Sequence, residues 1–135
     1  MSKRVLICED DCAIRLLLDK LLSRHGLAAD CVGTGAEAVM RLQREPYDLI
    51  VLDLLTPVLS GYQVLDLLRH ERPDLLNCVV IVTASQHAFS EALPVAAVIR
   101  KPFDVDDFDR VVTQVLRNSS DVRRDRRVRQ KGGLS

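Results

Sequence analysis

Two hydrophobic periods alternate along the chain. Continuous apolar runs of strand length stand at residues 5–8, 49–52 and 79–82, with weaker runs at 28–32 and 95–99. Runs that are continuous rather than alternating suit strands buried on both faces, as in a parallel sheet covered by helices. Between them, Ile14, Leu17, Leu18, Leu21 and Leu22 keep the i, i+3, i+4, i+7, i+8 spacing of one helical stripe, which Gly26 closes. Thr34-Gly35-Ala36-Glu37 and Ser60-Gly61-Tyr62-Gln63 have capping-box form. They open a helix to about residue 44 and another carrying Val64, Leu65 and Leu68. Pro94 limits the next helix to a short one at 86–92. Asp104, Asp106 and Asp107 give an acidic first turn to a last helix bearing Phe108, Val111, Val112, Val115 and Leu116. The order is β-α five times over, which predicts an α/β, doubly wound, five-stranded parallel sheet with right-handed crossovers.

In such sheets ligands sit at the carboxyl ends of the strands, and the residues there are of one chemical kind. The first run leads into Glu9-Asp10-Asp11, the third into Asp53, the fourth into Thr83 and the fifth into Lys101-Pro102. If the strands are parallel neighbours, these groups converge on one edge. Gathered carboxylates repel, and an oxygen-only set without His or Cys suits Mg²⁺. A carboxylate such as Asp53 can act as a nucleophile and become an aspartyl-phosphate. Lys101 and the Thr83 hydroxyl would then meet the added phosphoryl oxygens. Each residue also has a plainer role: Asp11 as a helix N-terminal acid, Thr83 as a turn residue, Lys101 as a solvated charge.

The ordered set resembles the receiver domain of two-component response regulators. The matching pieces are Val5-Leu6-Ile7-Cys8-Glu9-Asp10-Asp11, Asp48 through Asp53 with Pro57 and Gly61, Val82-Thr83-Ala84, and Lys101-Pro102-Phe103. The resemblance spans residues 3 to about 117 and implies a flavodoxin-like (βα)5 sheet of order 2-1-3-4-5 with a shortened fourth helix. It implies Asp53 as phosphoacceptor from a histidine kinase or phosphotransfer protein, Thr83 as the switch hydroxyl and Lys101 as the phosphoryl-contacting ammonium. Asp10, Asp53 and the Leu55 carbonyl would ligate Mg²⁺, with Glu9 or Asp11 helping through water, and the Lys101–Pro102 bond would be cis. Such a domain is a signalling switch rather than an enzyme, catalysing only its own phosphorylation and dephosphorylation and acting on an unspecified protein target. A homodimer and a receiver acting without phosphorylation are further readings.

Three departures from the family pattern stand out. Val98 occupies the place of the usual aromatic three residues before the lysine. The Thr83–Lys101 interval is about four residues short. Pro94-Val95-Ala96-Ala97 replaces the usual Gly-Ala before the fifth strand. The segment 85–93 is therefore expected to be the mobile part of the switch. Leu55 is apolar and cannot position an attacking water, which predicts slow autodephosphorylation. It also argues against an aspartate-nucleophile phosphatase, which needs an acid there. The lack of G-x-G-x-x-G after the first run argues against a dinucleotide site.

Composition refines this picture in two places. Nineteen basic and nineteen acidic residues balance, but residues 1–116 carry 12 Lys/Arg against 17 Asp/Glu and residues 117–135 carry 7 against 2. The chain thus divides into a receiver domain, 1–117, and a basic tail, 118–135, whose middle is too polar to pack. The tail is expected to be a solvated extension, a handle for an acidic partner or nucleic acid, or a continuation of the last helix. No DNA-binding domain is expected in it. Cys8, Cys12, Cys31 and Cys78 lack CxxC spacing and read as small buried hydrophobes with reduced thiols; no cysteine pairs with His25, His70 or His87 at zinc spacing. No run approaches the ~18–20 apolar residues that span a bilayer, and the start is no signal peptide, so a cytoplasmic location is expected.

Overall fold

The structure, a computed structural model, describes residues 3–118. Five parallel strands, β1 (Lys3–Cys8), β2 (Leu27–Val32), β3 (Leu49–Leu52), β4 (Val79–Thr83) and β5 (Ala97–Arg100), lie in the order β2-β1-β3-β4-β5. The connecting helices are α1 (Cys12–Ser23), α2 (Gly35–Arg44) and α3 (Gly61–Glu71), and a last helix, α4, occupies 105–118. The basic tail beyond 118 lies outside the described residues. No described helix is long and apolar enough to cross a membrane.

The continuous apolar runs are explained by two cores, one on each face of the sheet. Val5, Ile7, Leu49, Val51, Val80 and Val82 pack with Leu18, Leu21 and Leu22 of α1 and Phe108, Val112 and Val115 of α4. Their neighbours Leu6, Cys8, Ile50, Leu52, Val79 and Ile81 pack on the other face with Ala38, Leu42, Val64, Leu65 and Leu68 of α2 and α3. Successive strand residues point to opposite faces, so a strand covered on both sides needs apolar residues at every position.

Each helix starts where its sequence provides a cap. Asp11 caps α1, Thr34 caps α2 through the Glu37 N–H, and Ser60 with Gln63 completes a capping box on α3. Asp104 accepts from the Asp106 and Asp107 N–H groups at 2.8 and 3.4 Å to start α4. Gly26, at φ +76, ends the α1 connection in a conformation a Cβ would strain.

Four sequence expectations need correction. Leu17 belongs to the predicted stripe of α1 yet is 41% exposed, because the buried face centres on Leu18, Leu21 and Leu22. Cys8 and Cys78 are buried thiols as expected, but Cys12 and Cys31 are exposed: one opens α1, the other lies on the edge strand β2. The helix predicted at 86–92 is a single 3-10 turn, Gln86–Phe89. A tight turn follows, with the Val95 N–H bonded to the Leu93 carbonyl around Pro94, and β5 begins at Ala97 rather than 95. Proline has no N–H to continue a helix and restricts the residue before it.

The loop between β3 and α3 is held in an unusual shape. Val58 and Leu59 have φ of 49 and 92. The Gly35 and Ala36 N–H groups at the start of α2 donate to the Pro57 and Val58 carbonyls at 3.4 and 3.1 Å. Both glycines beside the loop are there for space: a Cβ on Gly35 would lie 1.9 Å from the Leu59 carbonyl oxygen, and one on Gly61 2.4 Å from that of Asp53. A β-branched residue at positive φ is strained, whereas asparagine accepts that conformation. Val58 is exposed, so Val58→Asn loses little packing. Its unfolding free energy in urea is expected to rise by about 1 kcal/mol; a fall would show that the loop is not strained at this residue.

Candidate functional site

The sheet register carries the predicted residues to one edge. Cys8 of β1 pairs with Leu52 of β3, and Leu52 with Ile81 of β4. One residue beyond the strands, the Asp53 N–H bonds to the Cys8 carbonyl at 3.0 Å, the Glu9 N–H to Val32 at 3.0 Å and the Lys101 N–H to Thr83 at 3.0 Å. These bonds extend the ladder past its last paired residues and fix the backbones of Glu9, Asp53 and Lys101 before their side chains are considered. The Lys101–Pro102 bond is cis.

The side chains form one charged cluster. Lys101 Nζ lies 2.9 and 2.8 Å from the two carboxylate oxygens of Glu9 and 3.0 Å from Asp53 Oδ2. Asp53 Oδ1 accepts from the Thr83 hydroxyl at 2.8 Å and from the Leu55 N–H at 3.1 Å. Glu9 is 1% exposed, Asp53 5% and Thr83 0%.

Burial pushes the Glu9 carboxyl above its ordinary range, against the pull of Lys101. Burial acts the same way on Asp53, but the Leu55 N–H, Lys101 and Thr83 together outweigh it and hold that carboxyl low. Desolvation would lower Lys101, yet Glu9 and Asp53 keep it raised. The pair is thus an ionised carboxylate facing an ammonium in a poorly hydrated cleft.

One oxygen each of Glu9, Asp10 and Asp53 lies within 4.8 Å of the others. Three carboxylates against one ammonium leave a formal surplus of two negative charges. An oxygen-only donor set of that charge, with Asp10 exposed at its mouth, fits a hard divalent cation.

Of the predicted residues, Glu9, Asp10, Asp53, Thr83 and Lys101 come together. Asp11 takes the plainer of its two roles: its Oδ1 accepts from the Ala13 and Ile14 N–H groups at 2.9 and 3.1 Å, outside the carboxylate trio. Leu55 turns its N–H to Asp53 and exposes its side chain. Val98 is half-buried in β5, opposite Ile81 and against the α2/α3 core.

Two polar residues adjoining the site escaped the sequence reading. Ser85 donates its N–H to Thr83 Oγ1 at 3.2 Å, and its hydroxyl shares a 2.8 Å hydrogen bond with the Tyr62 hydroxyl. Tyr62 reads in sequence only as a first-turn residue of α3, and nothing local signals a partner 23 positions away.

A strand-end cluster of this composition on a five-stranded 2-1-3-4-5 sheet defines a class, and comparison with known proteins agrees. The response regulator receiver domain matches residues 5–113. The chain is 30% identical over 116 residues to the response regulator receiver protein CpdR of Brucella abortus, covering 84% of this chain and 97% of that protein. It is 31% identical over 123 residues to the alkaline phosphatase synthesis transcriptional regulatory protein PhoP of Bacillus subtilis, covering 88% of this chain but only 50% of PhoP. Among solved structures, the response regulator TrrA of Thermotoga maritima in complex with Mg²⁺–BeF superposes with a TM-score of 0.74 at 28% identity, over 84% of this chain and 98% of that one. The chain belongs to the response regulator receiver domain family.

The two roles open to Asp11 separate experimentally. Asp11→Ala removes an N-cap and is expected to lower stability by about 1 kcal/mol in urea unfolding. Unchanged stability would mean that the cap contributes nothing and frees Asp11 for the cluster.

Proposed function

We propose that this domain is a phosphorylation-controlled switch in which Asp53 accepts a phosphoryl group from the phosphohistidine of a sensor kinase or phosphotransfer protein. The phosphorylated form then signals by binding another protein. The observation that carries this reading is the Asp53 carboxylate held ionised between Lys101, Thr83 and the Leu55 N–H, with Glu9 and Asp10 alongside.

The chemistry follows from that placement. An Asp53 oxygen attacks phosphorus, an O–P bond forms as the P–N bond breaks, and the released electron pair returns to the imidazole nitrogen. Lys101 is charged and within 3.0 Å of Asp53, so it can meet a phosphoryl oxygen without first gaining a proton. Thr83 can turn its hydroxyl from Asp53 Oδ1 to a second phosphoryl oxygen. Asp10, Asp53 and the Leu55 carbonyl would hold Mg²⁺, with Glu9 assisting through water, and Asp11 only if released from its cap. The cation supplies neutralisation of phosphoryl charge. The domain turns over no external substrate beyond its phosphodonor, and a cytoplasmic location suits donors of this kind.

Acetyl phosphate with Mg²⁺ is expected to label the wild type at one position and to leave Asp53→Asn unlabelled, read by intact-protein mass. Equal labelling of the variant would remove Asp53 as the acceptor. The label is expected to persist for minutes or longer, because exposed Leu55 offers no group to orient an attacking water; loss within seconds would contradict this. Asp10→Asn should weaken Mg²⁺ binding by at least the ~10–100-fold typical of outer-sphere partners, while Asp11→Ala leaves it near wild type. The reverse order would exchange the roles of the two acids. A receiver that works without phosphorylation would bind its partner equally well as wild type and as Asp53→Asn.

A further inference from the structure

The hydrogen bonds at Asp53 continue beyond Thr83. Thr83 Oγ1 gives its proton to Asp53 Oδ1 at 2.8 Å and accepts the Ser85 N–H at 3.2 Å, and the Ser85 hydroxyl meets the Tyr62 hydroxyl at 2.8 Å. Thr83 and Ser85 are buried, 0% and 7% exposed, and the Tyr62 ring packs partly buried against the α2/α3 core. Three hydrogen bonds therefore lead from the acceptor carboxylate to the first turn of α3. The same turn also lies directly against the Asp53 backbone, since the Gly61 N–H bonds to the Leu54 carbonyl at 3.1 Å and Gly61 has no room for a Cβ beside the Asp53 carbonyl.

We propose that Tyr62 is the positioning residue that reads the state of Asp53, through Ser85 and Thr83, so that phosphorylation is reported at the start of α3 and in the Gln86–Phe89 turn. This rests on Asp53 being the phosphoacceptor. The Thr83 hydroxyl has one proton, so it cannot serve Asp53 Oδ1 and a phosphoryl oxygen at once. Its backbone is fixed in β4 by pairing with Arg100, and the change falls on the side-chain torsion and on the residues just after the strand. Ser85 is bonded through its backbone N–H to the oxygen that moves, and a buried N–H that loses its acceptor is costly. Ser85 and Tyr62 must therefore shift together or re-pair. Val98, branched at Cβ and packed against the same core, has no hydroxyl and no ring to take part in such an exchange. The tyrosine on α3 supplies the hydroxyl-bearing ring that β5 lacks.

The chain has two tyrosines and no tryptophan, which makes the test direct. The full chain is labelled with 3-fluorotyrosine, and the Tyr62 ¹⁹F resonance is assigned as the one missing from Tyr62→Phe. Acetyl phosphate and Mg²⁺ are expected to move the Tyr62 signal and leave that of Tyr47, which precedes β3 at the far end of the sheet, in place. In Ser85→Ala the phosphoryl adduct still forms but the Tyr62 displacement is lost. A Tyr62 signal that stays put in adduct-bearing wild type overturns the proposal without need of any variant, as does an undiminished displacement in Ser85→Ala. A wild type that shows no adduct by mass overturns the acceptor assignment and this proposal with it; an adduct without displacement overturns this proposal alone.

Discussion

The ammonium of Lys101 joins the ends of three strands. It lies 2.8 and 2.9 Å from the carboxylate oxygens of Glu9 beyond β1 and 3.0 Å from Asp53 beyond β3, and its own backbone continues β5. Without it, two acids that are 1% and 5% exposed would face each other across a poorly hydrated cleft. Leaving such a charge unpaired costs several kcal/mol. The same contact that permits the acids to be buried joins the Leu55 N–H and the Thr83 hydroxyl in holding the Asp53 carboxyl low, so the constraint that stabilises the edge also bears on its charge.

Around this contact the domain is tied by many bonds on one side and thinly built on the other. The Asp53 loop is clamped by the first amides of α2, by Gly61 and by the Thr56 hydroxyl on the Leu59 carbonyl at 3.2 Å. After β4, by contrast, the chain forms only the Gln86–Phe89 turn and the bend at Pro94. That stretch is still anchored: Ser85 by its two hydrogen bonds, Ala88 by burial, Leu93 against the α2/α3 core, and Phe89 beneath the Arg100 guanidinium at 4.2 Å. Few anchors and no helical ladder make it the place where a small change at Thr83 meets least resistance. Ser85 offers hydrogen bonds toward α3, whereas Val98 in β5 offers only packing.

The comparison of chain and fold separates two kinds of information. Strand positions, the two-sided cover of the sheet and the caps at Thr34, Ser60 and Asp104 were legible because each depends on spacing within a few residues. Asp53, Glu9, Asp10, Thr83 and Lys101 were legible for a different reason: a parallel sheet puts every strand end on one edge, so residues far apart in sequence become neighbours by topology alone. Degenerate local signals left the reading open at one place and misled it at another. An acid after a strand can cap a helix or face the cleft, and only backbone geometry assigned Asp11 to the cap. An apolar stripe does not say which way its helix is rotated, hence the exposure of Leu17.

By itself, then, the order of apolar and polar residues determined the fold class, the edge that carries the chemistry and the acid-rich, His- and Cys-free donor set that suits a hard cation. Tertiary structure alone decided the rest: the positive φ of Val58 and Leu59, imposed by the close passage of Gly35; the reduction of a predicted helix to one turn; and the line from Asp53 through Thr83 and Ser85 to Tyr62. Those features depend on distances between side chains brought together by packing, and hydrogen bonds across such distances leave no periodic trace in the sequence that forms them.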